Sequence, residues 1–247
     1  MEKKKSEEKK KTPEKKKTVT KKKQTQPSEG HRKRLRNKLI KKGGDGFDDY
    51  ELLELMLTYS IPRKDVKPLA KELIARFGSL GNVLYAKPED LELINGVKEN
   101  TIALFKVIQN ANLRILRHEV LDENVLDNWD KVQNYCFALL GRETKEFLYV
   151  ISLDARGAIL GVDQLQKGTV NETSVYVREV IETIMQRGAT SFLLVHNHPS
   201  GDTRASPADI RLTKEIAETA KRMNIVLHDH VIVSKKGINT FKAMSCL

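Results

Sequence analysis

The spacing of apolar residues changes once along this chain, and the change divides it into two kinds of structure. From about Gly30 to His118, apolar residues recur three and four positions apart, with stops at glycine and proline, as in amphipathic helices. After about residue 130, short apolar runs alternate with helical segments. The sequence therefore predicts a small all-helical domain followed by an α/β sheet domain.

Several helix ends in the first domain carry recognisable signals. Apolar residues at Leu52, Leu53, Leu55, Met56 and Leu57 predict a buried helix with Asp48 as its N-cap. A second helix begins near Val66 and is ended by Gly78. Two more helical pieces are predicted on either side of a turn at residues 95–98: Glu89 to Ile94, and Glu99 to about Leu116.

The second domain is predicted to alternate strands with helices. The predicted helices are Lys131 to Leu140, Tyr176 to Gln186 and Pro207 to Met223, and the predicted strands are Phe147 to Leu153, Ile159 to Val162, Ser191 to His196 and Ile225 to Val233. An acidic, irregular stretch precedes them. We therefore expect a tail at 1–28, a helical domain at 29–118, a linker at 119–128 and the α/β domain at 129–247.

The positive charge of the chain is concentrated at its start. The formal net charge is +11, and residues 1–24 alone hold twelve Lys against four Glu. A segment this polar cannot bury a core, so residues 1–28 are predicted to be disordered. A solvated tail is the simpler interpretation, and an electrostatic tether for nucleic acid or another polyanion is the alternative.

Cysteine use and hydropathy favour a cytoplasmic protein. Cys136 and Cys246 lie far apart and form no CxxC pair, so neither a disulfide framework nor a thiolate metal site is predicted. No apolar run reaches the length of a membrane span, and the first thirty residues contain no signal-like apolar stretch. We expect a protein that is neither secreted nor embedded in a membrane.

The segment VHNHPSGDTRASPAD holds the strongest candidate for a chemical site. His196 and His198 end a predicted strand and point the same way, because side chains alternate along extended backbone. The turn at residues 199–201 lets the chain return, so that Asp209 can join them. Two His and one carboxylate leave a position open for water, as in catalytic zinc sites, although iron or manganese would also accept these ligands.

A simpler interpretation of the same residues exists. Ser206, Pro207 and Asp209 also form a good helix start, with Ser as N-cap, Pro at the first helical position and an acid at the third. An HxH pair alone also arises by chance. The residues by themselves leave both interpretations open.

The complete spacing resembles a known family. The pattern His196, one residue, His198, seven residues, Ser206, two residues, Asp209 is similar to the signature of the JAMM metalloproteases, in the JAB/MPN family. The chain resembles the RadC family more closely still. That resemblance rests on GHRKRLR, DYELLELML, IPRKDVKPLAKELIARFGSL, GVKENT, KGTVN, VRE, HNHPSGD, SPADIRLTK and DHVIV, and covers nearly all residues after 29.

The resemblance implies both a fold and an activity. It implies a mixed β-sheet flanked by helices, JAB/MPN-like and cytidine-deaminase-like, preceded by a small helix-hairpin-helix-like all-α domain. It also implies zinc-dependent hydrolysis of a peptide or isopeptide bond in a protein or peptide substrate. His196, His198 and Asp209 would bind Zn²⁺, Ser206 would stabilise an oxyanion, and Glu146 would transfer the proton. Glu143 and Asp163 are alternatives to Glu146 for that role.

A second pair of histidines, His228 and His230, lies on a predicted strand. In the family pattern these are not the zinc ligands, so we expect them to support the site or the fold. The letters HNH at 196–198 do not indicate an HNH nuclease, because that motif spreads its residues over a ββα unit.

The turn at Ile94 to Lys98 favours a different class of function. It resembles a helix-hairpin-helix turn, in which two glycines let backbone N–H groups approach a DNA phosphate. Here Gly96 is present but Lys98 replaces the second glycine. With the basic segment Arg32 to Lys42, this supports an alternative function as a DNA-associated accessory protein. The resemblance to the RadC family implies that such a role would lie in repair or recombination. A purely structural hairpin fits the same residues.

Overall fold

The computed structural model describes residues 27–121, 124–125, 127–168 and 177–247 of the chain. Residues 48–247 form one compact unit, and the residues before Asp48 belong to a separate one. In that first unit, helix α1 spans Pro27–Lys42, so it includes the last two residues of the predicted tail. The rest of the predicted tail lies outside the described residues.

The helical part of the large unit contains five helices. They are α2 Asp49–Ser60, α3 Lys67–Phe77, α4 Leu80–Leu84, α5 Pro88–Glu92 and α6 Glu99–Leu121. Asp48 is the N-cap of α2, as predicted. Gly78 ends α3 with a left-handed φ of 87° and donates its N–H to the carbonyl of Ile74 at 2.8 Å. A side chain at this φ would be strained, which is why glycine suits the helix end.

These helices share one hydrophobic core. Its buried members are Leu53, Leu57, Val66, Ala70, Leu73, Val83, Leu91, Ile94, Val97 and Phe105. Phe105 comes from the first half of α6. The second half of the same helix leaves this core and places Val120 in the core of the sheet domain. Helix α6 therefore extends five residues beyond the predicted end near Leu116, into the segment predicted as a linker.

The C-terminal part is built around a five-stranded mixed sheet. Its elements are α7 Trp129–Leu140, β1 Glu146–Leu153, β2 Ile159–Gly168, α8 Val177–Gln186, β3 Ser191–Asn197, α9 Pro207–Arg222, β4 Val226–Ser234 and β5 Gly237–Thr240. The strand order is β2-β1-β3-β4-β5. Among the strands that the structure describes, β3 and β4, joined by α9, are the only parallel pair, and the other pairs are antiparallel.

The two faces of the sheet carry separate cores, as the alternation of side chains along a strand requires. On one face, Leu193 and Val195 of β3 pack with α7 and the end of α6. On the other face, Phe192 and Leu194 pack with α8 and α9. His196 follows the second series, so it lies on the face that α9 covers.

The predicted fold class is confirmed: a mixed sheet flanked by helices follows a helical region. The strand β5 and the short helix α4 were not predicted, because segments of four or five residues show no measurable period. Strand β2 runs six residues past the predicted Val162, since its second half is polar and lacks the expected apolar run. No helix among the described residues has the length and apolar character needed to cross a bilayer.

Replacing Phe105 by Ala should reveal how much the helical core contributes to stability. Phe105 is 1% exposed within that core, so its loss should lower the free energy of unfolding by about 3–5 kcal/mol. Val107 lies on the same helix and is 64% exposed, so Val107→Ala should change the free energy of unfolding by less than about 0.5 kcal/mol. Urea denaturation of both variants measures the difference. Equal losses would contradict the assignment of Phe105 to the core.

Candidate metal centre

Strand β3 and its two neighbours bring the candidate residues together. Strands β1 and β3 are antiparallel, and Leu148 lies opposite His196. Continuing this register by two residues places Glu146, at the start of β1, beside His198. Both pairs lie on the same face of the sheet, because side chains alternate with a period of two. The start of one strand therefore meets the end of the other on the face that carries α9.

Helix α9 supplies the fourth group through its first turn. Ser206 is the N-cap, and its Oγ accepts a hydrogen bond from the Asp209 N–H at 3.1 Å. In return, Asp209 Oδ2 accepts one from the Ser206 N–H at 2.7 Å. The same carboxylate faces the histidines, with Oδ2 3.4 Å from His198 Nε2 and Oδ1 3.7 Å from His196 Nε2. Asp209 thus acts in the helix cap and in the cluster at once.

One ligand atom from each of Glu146, His196, His198 and Asp209 lies within 4.8 Å of the other three. Among the described residues, no other group of three or more His, Cys, Asp or Glu side chains is arranged this closely. His196 is buried and the other three are partly exposed, so the cluster is open to solvent on one side. The structure brings together all three predicted metal ligands and the predicted acid.

Hydrogen bonds fix how each imidazole is turned. His198 Nδ1 lies 2.8 Å from the Asp202 carbonyl, which can only accept, so this nitrogen carries the proton. His196 Nδ1 lies 2.7 Å from His230 Nε2. The remaining nitrogens, His196 Nε2 and His198 Nε2, face each other at 2.8 Å. Both rings therefore direct Nε2 toward the Asp209 carboxylate.

The charges in the cluster depend strongly on burial. Burial lowers the pKa of His196 to about 4, so its ring is neutral near pH 7. Burial opposes ionisation of Asp209, yet hydrogen bonds from His198 and Ser206 hold its pKa well below the usual range. The hydrogen bond to Asp209 raises the pKa of His198. The site therefore combines an ionised carboxylate with imidazoles, which suits a divalent cation.

Glu146 differs from Asp209 in its surroundings. Burial raises the pKa of Glu146, although the nearby His198 acts in the opposite direction. The two alternative acids lie outside the cluster. Asp163 on β2 forms a bidentate ion pair with Arg187, and Glu143 is exposed in the turn before β1.

Asn197 is a supporting residue that the sequence pattern did not single out. Its side chain is buried on the opposite face from the two histidines. Its Oδ1 accepts from the Phe147 N–H at 2.9 Å, and its Nδ2 donates to the Lys145 carbonyl at 2.9 Å. These bonds hold the backbone on both sides of Glu146. A period-two pattern places Asn197 away from the site but does not show which backbone it binds.

The remaining candidate residues are spread over the molecule. His230 is buried against His196, whereas His228 is partly exposed and does not belong to the cluster. In the helical part, Gly96 has a left-handed φ of 101°, and Lys98 is exposed at the start of α6. Part of the KGTVN segment lies outside the described residues.

Comparison with protein-family models accounts for most of the chain. A model of the RadC-like JAB domain matches residues 126–246, which include the sheet and all four residues of the cluster. A second model, of the UPF0758 N-terminal region, matches residues 29–103. The two matches follow one another in the order that the resemblance implies. The chain belongs to the RadC family.

Proposed function

We propose that this chain is a zinc-dependent hydrolase of the JAMM type that cleaves a peptide or isopeptide bond. The close approach of His196 Nε2 to His198 Nε2, at 2.8 Å, carries the proposal. His198 Nδ1 donates to the Asp202 carbonyl, so its Nε2 carries a lone pair when the ring is neutral. His196 Nε2 carries one as well when His196 Nδ1 donates to His230 Nε2. Two lone pairs beside a carboxylate repel one another unless a positive charge lies among them.

A divalent metal cation suits this donor set. His196 Nε2, His198 Nε2 and the Asp209 carboxylate would hold it, and three protein ligands leave a coordination position open. Zinc is the metal that we propose, and the same ligands would accept iron or manganese. When bound, zinc would supply Lewis acidity, activating water as a nucleophile near neutral pH and polarising the carbonyl group that is attacked.

Glu146 is proposed to move the proton. Its carboxylate lies in the cluster. Burial raises the pKa of this carboxyl group toward neutral pH, which suits a general base. It would accept a proton from the attacking water and deliver one to the leaving amine. Asn197 keeps this carboxylate in place by holding the backbone on both sides of it.

Ser206 is proposed to stabilise negative charge that develops on the substrate oxygen. Its Oγ accepts a hydrogen bond from the Asp209 N–H, and accepting leaves the hydroxyl proton available to donate. A donor fixed at a helix N-cap beside the metal ligands needs little reorganisation during the reaction. The same hydroxyl would therefore serve the helix cap and the reaction.

Loss of one imidazole should abolish metal binding. We expect the purified chain, loaded with zinc at pH 7.5, to hold one zinc ion, and His198→Ala to hold none, because two ligands remain. His228→Ala removes a partly exposed histidine outside the cluster and should keep the metal. Elemental analysis after gel filtration measures the content. If wild type and His198→Ala are equally free of zinc, the hydrolase proposal fails.

Glu146→Gln should separate proton transfer from metal binding. We expect it to hold as much zinc as wild type but to cleave at least about 100-fold more slowly, because an amide cannot accept the proton. The assay is digestion of a peptide library by the zinc-loaded chain, followed by mass spectrometry. Glu143→Gln changes an exposed acid three residues away and should cleave at the wild-type rate. Undiminished cleavage by Glu146→Gln would exclude this role.

The hairpin before α6 supports a second candidate function, association with DNA. Gly96 adopts a left-handed conformation in this turn, and the exposed Lys98 follows it. A turn of this kind lets backbone N–H groups and one cation approach a phosphate. The hydrolase and DNA-binding functions are compatible, since they use different residues.

Reversing the charge at Lys98 tests the second function. With the full chain and a fluorescent DNA duplex, Lys98→Glu should weaken binding several-fold. The slope of log K against the logarithm of the salt concentration should become shallower by about 1, the value for one lost phosphate contact. Lys214→Glu makes the same charge change at an exposed position of α9 and serves as the control. Equal effects of the two substitutions, measured by fluorescence anisotropy, would show only a general charge effect and exclude the hairpin as a DNA contact.

A further inference from the structure

A chain of three buried polar side chains connects helix α9 to the candidate metal centre. Thr213 Oγ1 lies 2.6 Å from the carbonyl oxygen of Asp209, one helical turn earlier. The same Oγ1 lies 2.6 Å from His230 Nδ1, and His230 Nε2 lies 2.7 Å from His196 Nδ1. Thr213, His230 and His196 are 0%, 1% and 3% exposed. We call these three residues the buried relay.

The direction of each hydrogen bond in the buried relay follows from its first member. The Asp209 carbonyl can only accept, so the Thr213 hydroxyl donates to it and has no proton left for His230. His230 Nδ1 must then carry a proton and donate to the hydroxyl oxygen. In the neutral ring His230 Nε2 is left as an acceptor, and it accepts from the Nδ1–H of His196. The lone pair of His196 is thereby placed on Nε2.

The surroundings of the buried relay restrict both rotation of its rings and entry of water. The His230 ring stacks on Phe241, with centroids 4.5 Å apart and planes at 17°. Phe241 is itself completely buried, which limits rotation of the His230 ring. Because all three relay residues are almost inaccessible to solvent, water cannot replace a missing partner without entering the core.

From this geometry we propose that Thr213 and His230 are positioning residues that fix the tautomer of His196 and keep its Nε2 lone pair directed at the metal. The inference rests on the proposed metal-binding function. Asp209 closes the arrangement, since its carboxylate faces His196 while its main-chain carbonyl accepts from Thr213. One residue of α9 therefore contributes a ligand and anchors the hydrogen bonds that orient another ligand.

Removing only the Thr213 hydroxyl should change the tautomers of His230 and His196. Valine has nearly the same shape but cannot accept a hydrogen bond, so His230 Nδ1–H would be buried without a partner. The other tautomer of His230 would then be favoured, with its proton on Nε2. That proton would be donated to His196 Nδ1, which moves the His196 proton to Nε2 and blocks the lone pair that binds the metal.

The test is the zinc dissociation constant of the full chain, measured by competition with a chromophoric chelator. Thr213→Val should weaken binding about 10–100-fold, the usual effect of losing a partner behind a ligand. Thr213→Ser retains the hydroxyl and should restore binding to within about threefold of wild type. Thr219→Val is the matched control, because Thr219 also lies on α9 and donates to the carbonyl four residues earlier, at 2.8 Å from Glu215 O.

The outcomes separate the inference from the proposed function. If wild type binds zinc and Thr213→Val binds it as tightly as Thr219→Val, the inference is wrong while the metal site stands. If wild type itself binds no zinc, the proposed function fails and the inference with it. A purely structural role for Thr213 would lower the melting temperature of the zinc-free variant without changing the dissociation constant, and that result also overturns the inference.

A second measurement needs no variant and therefore remains available if Thr213→Val does not fold. In the zinc-loaded wild-type chain, the nitrogen chemical shifts of the imidazoles report which nitrogen carries the proton. We expect His230 to be protonated at Nδ1 and unprotonated at Nε2. Protonation at Nε2 would overturn the proposed direction of the buried relay.

Discussion

Strand β3 is the element on which the arrangement of this molecule depends. It lies in the middle of the sheet, pairs antiparallel with β1 and parallel with β4, and is buried along its whole length. Its end is therefore the one place where the start of β1, the end of β4 and the beginning of α9 can all meet. His196 and His198 extend from this end, and their neighbours supply the rest of the cluster.

Several polar groups at this point must satisfy one another, because they are closed off from water. His196, Asn197 and His230 are each buried, and each has a hydrogen-bond partner within the protein. Buried polar groups without partners cost free energy, so such a network is stable only when each donor meets an acceptor. The exception is the contact of the two Nε2 atoms of His196 and His198, which face each other as acceptors when both rings are neutral and which the proposed metal cation would satisfy.

Several groups here serve the fold and the candidate chemistry together. Ser206 and Asp209 form a capping box that begins α9, and the same carboxylate approaches both imidazoles. The sequence left a choice between a helix start and a metal ligand at these positions. The structure combines the two, since the helix cap fixes the direction in which the carboxylate points.

The order and type of the main elements and the identity of the family could be predicted from the residues alone. Apolar periodicity is a local property, so α2, α3, α9 and the central strands were evident from residue types alone. The HxH spacing likewise predicted that His196 and His198 share a face. Short segments such as β5 and the polar half of β2 carry too little periodicity to be recognised.

Which distant residues meet depends on the packing of the folded chain. Glu146, rather than Glu143 or Asp163, enters the cluster because the register of β1 against β3 places it beside His198. Thr213 carried no signal, since a threonine inside a helix has many possible partners, and its contact with His230 depends on how α9 packs on β4. Hydrogen bonds between residues far apart in sequence depend on strand register and helix packing, and local patterns do not contain that information.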